Sequence, residues 1–138
     1  GNYENAIKYL KSFSSSDLKL LTKDIIQAAS DLDLNLELRD EGRGVLKPSP
    51  PPYPFDQKGM HLETNYGLSR MGFAFYKDKA TNENLGLARQ VLKEIGLEPL
   101  ESSDASYSLV MGRHNREDPE GIAGLFKELI ETTYDFFK

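Results

Sequence analysis

Hydrophobic and polar residues alternate along residues 59–77, GMHLETNYGLSRMGFAFYK. In the second half of this stretch Met71, Phe73 and Phe75 share one side, and the residues between them share the other. A period of two is typical of strands that bury one face. The pattern therefore predicts two strands joined near residues 65–67, with an apolar face that the rest of the chain must cover.

Apolar residues recur at helical spacing in four other stretches, which are residues 3–13, residues 18 to about 30, residues 82–95 and the last segment from residue 119. Thr81 is the predicted N-cap of the third helix, because its hydroxyl can accept a hydrogen bond from the first turn. Gly96 follows that helix where a left-handed residue is favoured, and Pro119 suits the first position of the last helix. The first two helices are predicted to form an αα-hairpin over residues 1–32.

Three shorter stretches predict further strands, and they span residues 33–39, 45–47 and 107–112. Residues 48–54 hold five of the seven prolines of the chain. Proline removes a backbone donor and favours the extended polyproline conformation. This segment is therefore predicted to connect two strands and not to form one.

The predicted order of elements is ααββββαβα, which is an α+β fold. We predict a mainly antiparallel sheet of about five strands, with helices packed on one face and the αα-hairpin at the N-terminal end. The 138 residues suffice for a single domain with a hydrophobic core. Its parts are the helical hairpin, a β-meander and an αβα segment, over residues 1–32, 33–77 and 78–138.

Composition excludes several classes of protein and site. The net charge of −5 favours a basic protein as partner over nucleic acid, because a duplex-binding surface needs clustered lysine and arginine. The absence of cysteine excludes disulfides and thiolate metal sites. No apolar run approaches the roughly 20 residues that span a bilayer, so we predict no membrane partner and a cytoplasmic location.

Two histidines and their neighbours are the first candidate binding residues. His61 and Glu63 lie two positions apart on one predicted strand, so both point to the same face, as an acid–base pair or two ligands would. Arg113 and His114 follow the last predicted strand, at a position where loops often carry function. Partly exposed histidines without a role are the alternative.

A basic edge is predicted if the strand over residues 107–112 lies beside the strand that ends near residue 77. It would combine the cations Arg70, Lys77, Lys79, Arg113, His114 and Arg116. Tyr66, Phe75 or Tyr76 would then stack a nucleic-acid base. Solubility and helix counter-charges explain the same cations. The candidate binding residues are thus His61, Glu63, Arg70, Tyr76, Arg113 and His114.

The chain ends in an aromatic segment, Tyr134-Asp135-Phe136-Phe137-Lys138. Two adjacent aromatic side chains do not easily fit one helical stripe. Tyr134, Phe136 and Phe137 are therefore candidate interface residues, because exposed aromatic side chains tend to mark interfaces. Packing of both phenylalanines in the core of the same chain is the alternative.

No motif of an enzyme accompanies these residues. The sequence has no nucleophile elbow, no phosphate-binding glycine loop and no dense set of metal ligands. We therefore predict no catalytic residue, no metal and no cofactor.

The order of elements is similar to that of small secretion-chaperone domains, which act as dimers that bind other proteins. Together with the acidity and the aromatic C-terminus, this similarity leads to the hypothesis of a non-catalytic protein-binding module, dimeric and chaperone- or immunity-like. An immunity-like role would need an acidic patch around residues 31–41. The alternative hypothesis is a nucleic-acid-processing or metal-assisted enzyme domain that uses a His/Glu/Arg cluster.

Overall fold

A six-stranded antiparallel sheet is the frame of the described part of the chain. The computed structural model describes residues 16–40, 45–48, 59–65 and 69–137. The helix predicted over residues 3–13, the proline-rich connector beyond Pro48 and most of the turn predicted at residues 65–67 lie outside the described residues.

Six strands and three α-helices follow one another in these ranges. They are α1 (Ser16–Asp31), β1 (Leu36–Asp40), β2 (Val45–Pro48), β3 (Met60–Asn65), β4 (Arg70–Tyr76), α2 (Asn82–Glu94), β5 (Glu98–Ser103), β6 (Tyr107–Arg113) and α3 (Pro119–Phe136). A short 3₁₀ turn, Lys77–Lys79, leads from β4 towards α2. Across the sheet the strands lie in the order β1-β2-β3-β4-β6-β5. None of the three helices is long and apolar enough to cross a membrane.

The helices cover one face of the sheet, which confirms the predicted α+β class. On β4, Met71, Phe73 and Phe75 are fully buried and belong to the main hydrophobic core. Leu62 of β3 and Val110 of β6 pair with Phe73 on its two sides. The helices add Ile25, Ile26, Val91, Leu92, Ile122, Phe126 and Leu129 to the same core. Each large apolar side chain that becomes fully buried contributes roughly 1.5–3 kcal/mol to stability.

Polar caps and a glycine fix the ends of α2 and the start of α3, as the sequence predicts. The Thr81 hydroxyl accepts a hydrogen bond of 3.1 Å from the amide of Asn84 ahead of α2. Asp118 accepts one of 2.9 Å from the first turn of α3, which begins at Pro119. Gly96 follows α2 with a φ of 82°, the left-handed conformation that commonly ends a helix. An N-cap of this kind is typically worth about 1 kcal/mol.

Strand β5 is the element that the sequence pattern missed, so the sheet has six strands and not about five. Its sequence, EPLESS, lacks apolar alternation because β5 lies at the edge of the described sheet. The Asp104 amide donates to the Tyr107 carbonyl, which makes these two residues a hydrogen-bonded pair. In an antiparallel ladder, hydrogen-bonded pairs alternate with pairs that are not hydrogen-bonded. Counted back from Asp104 and Tyr107, Pro99 and Gly112 form a pair of the second kind, so the backbone nitrogen of Pro99 points away from β6. Proline is tolerated there because the ladder loses no donor.

Gly72 allows β4 and β6 to lie close together. A Cβ atom at this position would collide with the Val110 carbonyl oxygen and would lie 2.9 Å from the Met111 Cα. Both are backbone atoms, which cannot rotate away as the end of a side chain can. Any side chain at position 72 would therefore push two neighbouring strands apart.

We expect Gly72→Ala to lower the free energy of unfolding by about 2–3 kcal/mol, because overpacking forces the strands to shift. Gly86→Ala is the matched control, since Gly86 lies in α2 with no neighbouring atom within 4 Å of its Cβ position. That control should raise the free energy of unfolding by up to about 1 kcal/mol, because alanine favours helix over glycine. Urea unfolding followed by circular dichroism measures both changes. Equal effects of the two substitutions would contradict the close approach of the strands.

Candidate functional site

The sheet has a second face on which no described helix packs, and we call it the open face. Alternation along the paired strands places there His61 and Glu63 of β3, Arg70, Gly72, Ala74 and Tyr76 of β4, Tyr107, Leu109, Met111 and Arg113 of β6, and Leu100 of β5. Ala74 and Met111 are each 2% exposed, although neither belongs to the main core. The middle of the open face is therefore apolar and shielded, and exposed groups lie at its two ends and along β5.

Three aromatic rings pack together at one end of the open face, and we call them the aromatic cluster (His61, Tyr76 and Tyr107). Tyr76 and Tyr107 are direct partners in the ladder between β4 and β6, and their ring centroids lie 5.1 Å apart. The His61 ring meets both tyrosines edge-on, with centroid distances of 6.2 and 5.6 Å. Such pairs are worth about 0.5–1.5 kcal/mol each. Tyr76 nevertheless stays 47% exposed, so the cluster presents apolar surface to solvent.

The Glu63 carboxylate lies beside the aromatic cluster and is mostly buried. Its Oε2 is 3.5 Å from His61 Nε2 and 3.7 Å from Nζ of Lys47 on β2. These separations are longer than those of short, well-aligned hydrogen bonds. The structure thus brings His61 and Glu63 together, and it sets a carboxylate at the border of the aromatic cluster.

The Tyr107 phenol is held in its neutral form. A hydrogen bond with Tyr76 is the largest cause that raises the pKa of Tyr107 above its ordinary value. Partial burial and the charges of Tyr76, Glu63 and Asp104 act in the same direction, because nearby negative charge disfavours a phenolate. This end of the open face is therefore aromatic, with the carboxylates of Glu63 and Asp104 near the Tyr107 phenol and the ammonium group of Lys47 beside Glu63.

Two arginines occupy the opposite end of the open face, and we call them the arginine pair (Arg70 and Arg113). They lie directly opposite each other on β4 and β6. Glu98 of β5 is the next residue across the sheet from Arg113. Arg70 and Tyr76 are six positions apart along β4, which is about 20 Å at the rise of a strand. One end of the open face thus carries two arginines, and the other carries the aromatic cluster together with charges of both signs, among them Glu63 and Lys47.

This arrangement divides the predicted basic edge. Strand β6 does lie beside β4, as the prediction required. However, Arg70 and Arg113 stand at one end of β4, whereas the cations of Lys77–Lys79 follow its other end. The base-stacking role predicted for Phe75 is wrong, because that ring is fully buried in the core. Of the described aromatic residues named for stacking, Tyr76 alone is accessible.

His114 lies on the helix-covered side of the sheet. Its amide donates to the Ser69 carbonyl at 3.0 Å, which extends the ladder one step beyond Arg113. Alternation then turns the imidazole away from the open face, and the residue is buried. The Nδ1 atom of its ring accepts a hydrogen bond of 3.2 Å from the Arg116 amide.

The two histidines do not share a site. Ala74 pairs with both His61 and Leu109, and His114 follows Leu109 by five residues, or about 17 Å along a strand. Concerted acid–base chemistry needs groups within hydrogen-bond reach. Within the described residues, no three histidine, aspartate or glutamate side chains group as a metal site requires. The structure therefore does not assemble the His/Glu/Arg cluster of the enzyme hypothesis.

The three aromatic residues at the C-terminal end occupy different environments. Phe137 is 3% exposed, and its ring centroid lies 5.8 Å from that of Phe73. Phe136 is half-buried and packs against the core. Tyr134 is 39% exposed on α3. Phe137 is thus a core residue of its own chain, and Tyr134 is the member of the predicted interface set that remains accessible.

A shallow pocket of about 290 Å³ lies where α2 meets the hairpin of β5 and β6. Its lining is Leu85, Glu101, Ser102, Ser103, Ser108 and Leu109. Arg89 donates two hydrogen bonds to the Glu101 carboxylate, at 2.9 and 2.6 Å, and they hold the pKa of Glu101 below its usual value. No histidine lines the pocket beside the serines, so it lacks the paired base that activates a serine nucleophile.

Tyr107 is the member of the aromatic cluster that the sequence analysis did not single out. Its segment, YSLVMG, predicts a buried strand, because apolar residues follow one another. The alignment of β6 with β4 sets Tyr107 beside Tyr76, and sequence periodicity does not contain that alignment. The sequence does contain one signal for Tyr107: it alternates with Leu109 and Met111, so all three share one face of the strand.

Comparison of the chain with protein-family models, with curated proteins and with solved structures finds no match. Function is therefore inferred from the geometry of the open face and from its charges.

We expect Phe137→Ala to lower the free energy of unfolding by about 3 kcal/mol, because it removes a buried ring that packs on Phe73. Tyr134→Ala is the matched control on the same helix, and its effect should stay below about 1 kcal/mol, as is usual for exposed positions. Thermal and urea unfolding of the two variants measure the difference. A loss of less than about 1 kcal/mol for Phe137→Ala would contradict the placement of Phe137 in the core.

We expect Tyr76→Phe to lower the pKa of Tyr107 towards about 10, the ordinary value of tyrosine, because the hydrogen-bond partner is lost. The pKa is raised in the folded state, so the interaction stabilises the fold below about pH 10 and is lost as the pH rises through the folded-state pKa. Nuclear magnetic resonance of isotope-labelled tyrosine, assigned with Tyr107→Phe, follows the titration. Tyr134→Phe should leave the Tyr107 titration unchanged. An ordinary pKa for Tyr107 in the unmodified protein would contradict this account.

Proposed function

We propose that the chain is a non-catalytic protein-binding module that self-associates through the open face of its sheet. The observation that carries the proposal is the exposure of two large hydrophobic side chains on that face. Tyr76 is 47% exposed and Leu100 is 41% exposed, and they are two of the three most exposed large hydrophobic residues described. The registers place these two side chains roughly 16 Å apart, because Leu100 lies two strands across from Gly72 and Tyr76 lies four positions further along β4. Tyr76 is grouped with the other rings of the aromatic cluster, and a group of exposed aromatic side chains tends to mark an interaction site.

The aromatic cluster supplies the rigid part of this surface. Its three rings contact one another, and Tyr76 is anchored through its amide, which donates to the Gly59 carbonyl at 3.0 Å. Rings that are already ordered lose little conformational entropy when a partner covers them. Aromatic residues are accordingly enriched at protein interfaces.

A second copy of the chain is the partner that the charges favour. The arginine pair and the carboxylates near the aromatic cluster place both signs of charge on one face. A surface with both signs can complement itself, whereas a nucleic-acid surface requires cations alone. Dimers that bind other proteins are also the class to which the order of elements is similar.

The size of the face supports weak association. Strands β3, β4, β6 and β5 are six or seven residues long. At about 4.8 Å between strands they give the face a projected area of roughly 400 Å². The middle around Ala74 and Met111 is already shielded and adds little to the contact, so the area available to a partner is smaller still. Stable complexes typically bury about 800 Å² of accessible surface on each partner. We therefore propose a dimer whose dissociation constant is micromolar or weaker.

We expect sedimentation velocity to show a monomer that converts to a dimer between about 1 µM and about 1 mM, the range in which weak contacts saturate. Tyr76→Asp and Leu100→Asp should shift this conversion to higher concentration by at least about tenfold, because each places an unpaired charge in the contact. Tyr134→Asp is the matched control, since Tyr134 is exposed to a similar degree on α3. Circular dichroism verifies that each variant is folded.

A protein that stays monomeric over the whole range would overturn the proposal. A dimer that Tyr134→Asp dissociates and Tyr76→Asp leaves intact would place the contact on α3 and would equally exclude the open face.

A further inference from the structure

We propose that strand β5 binds an extended, uncharged segment of another protein, which adds to the sheet as a further antiparallel strand. Strand addition of this kind draws its affinity from backbone hydrogen bonds and its specificity from pockets for alternate side chains. Both features occur at β5. The contact does not require the proposed self-association, and Leu100 is the residue that it shares with the open face.

The outer edge of β5 carries backbone groups that are ready to pair. Alternation along the ladder with β6 turns the carbonyls of Pro99, Glu101 and Ser103 outward, together with the amides of the last two. This strand is the edge of the described sheet, and among the residues that the structure describes these groups have no hydrogen-bond partner. The strand is exposed along its length apart from the half-buried Pro99, so an incoming strand can reach them.

An antiparallel partner matches these groups. Every described strand pair of the sheet is antiparallel, and antiparallel pairs are slightly more stable than parallel ones. A guest residue opposite Glu101 or Ser103 both donates and accepts a backbone hydrogen bond. Opposite Pro99 the guest donates to the carbonyl and finds no amide in return. The proline therefore weakens the pairing at one end and leaves the other end intact.

The two faces of β5 select the side chains of the guest. Leu100 is 41% exposed on the open face, so an apolar guest residue opposite it is favoured. Glu101 and Ser103 point to the helix-covered face, because their partners on β6 are the buried Val110 and Ser108. The guest residue opposite Ser103 points to that same face, on which the shallow pocket lies beside α2.

The pocket favours a side chain with an apolar stem and an uncharged polar end. Its volume is about 290 Å³, and its lining combines leucines of α2 and β6 with three serines. Serine hydroxyls both donate and accept hydrogen bonds, as a carboxamide does. The Glu101 carboxylate already accepts two hydrogen bonds from Arg89, and Glu98 lies opposite Arg113. Each carboxylate thus has an arginine beside it, so an uncharged glutamine opposite Ser103 fits better than a charged residue.

A second copy of β5 suits this edge less well than a foreign segment. Setting Leu100 opposite Leu100 of the second copy places each Pro99 opposite Glu101, and half of the hydrogen bonds lose their donor. An alignment centred on Glu101 opposes two like charges, which is destabilising. An alignment centred on Ser102 places Leu100 opposite Asp104 and leaves the leucine beside a charge. A proline-free segment with its own apolar residue avoids all three defects.

A capped heptapeptide of threonine, with glutamine second and leucine fifth, is the probe for this edge. In the antiparallel register its glutamine lies opposite Ser103, its fourth residue opposite Glu101 and its leucine opposite Leu100. At about ten times its dissociation constant, we expect the peptide to slow hydrogen exchange of the Glu101 and Ser103 amides about tenfold, because exchange then requires its release. The Ser102 amide, which faces β6, should change less. Nuclear magnetic resonance measures all three.

N-methylation of the peptide distinguishes strand pairing from any other contact. At the fourth residue it removes the amide that donates to the Glu101 carbonyl, so binding should weaken at least about tenfold. At the third residue, opposite Ser102, the peptide amide points away from β5, and the same methyl group should change the affinity by less than about threefold. Neither peptide alters the protein, so its folding is the same in both measurements.

A matched pair of protein variants tests the same amides from the other side. Ser103→Pro removes an outward amide while the ladder with β6 keeps its donors, and we expect at least about tenfold weaker peptide binding. Ser103→Ala keeps that amide and loses only the hydroxyl, so its loss should be smaller, about threefold. Circular dichroism verifies that both variants are folded.

Three results would overturn the proposal. Unchanged exchange of the Glu101 and Ser103 amides at about 10 mM peptide, far above ordinary binding constants, would show that the edge does not pair. Equal affinities of the two N-methylated peptides would show that the peptide binds through side chains alone. Protection of the two amides that rises with protein concentration in the absence of peptide would assign the edge to a second copy. Self-association through the open face is measured separately, by the effect of Tyr76→Asp on sedimentation.

Discussion

Strand β4 is paired on both sides, so each of its residues must face either the helices or the open face. Met71, Phe73 and Phe75 take the helix side and form the centre of the core. A shift of one residue in register would expose all three and bury their neighbours instead, which makes that register strongly specified. The core therefore determines the open face as well, because the same alternation that hides the three large side chains sends Arg70 and Tyr76 to the other side.

The alignment of β4 with β6 has the largest consequences for the candidate site. It makes partners of Tyr76 and Tyr107 at one end and of Arg70 and Arg113 at the other, although the members of each pair are far apart in sequence. Gly72 permits the alignment, since a side chain at that position would meet the backbone of β6. The separation between the arginine pair and the aromatic cluster is thus a product of strand packing. It is fixed by the same interactions that stabilise the fold.

Helix periods, caps and alternation on β3 and β4 carry enough local information to predict the class of the fold. Strand β5 was not predicted because strands are recognised by alternating apolar residues. An edge strand that contains Pro99 and Glu101 buries few side chains and therefore lacks that alternation. The site was harder to predict. His61 and Glu63 are adjacent on one face through local alternation, whereas the place of Tyr107 depends on register across the sheet, which a single sequence does not encode locally. The same alternation places Arg113 and His114, which are neighbours in sequence, on opposite faces of the sheet, and places His61 and Glu63, which are two positions apart, on one face.

A sheet covered on one side has two routes to association, through an edge or through its open face. At the β5 edge, Pro99 lacks an outward amide, which removes one donor that a further strand would need. The open face offers no backbone groups, so a partner there must be selected by side chains. Its exposed tyrosine and leucine provide apolar area, which favours many partners, while the charged groups at its two ends restrict which surfaces can cover it. The aromatic end owes its apolar character to the three rings that contact one another, so discrimination among partners falls to the charged side chains around them.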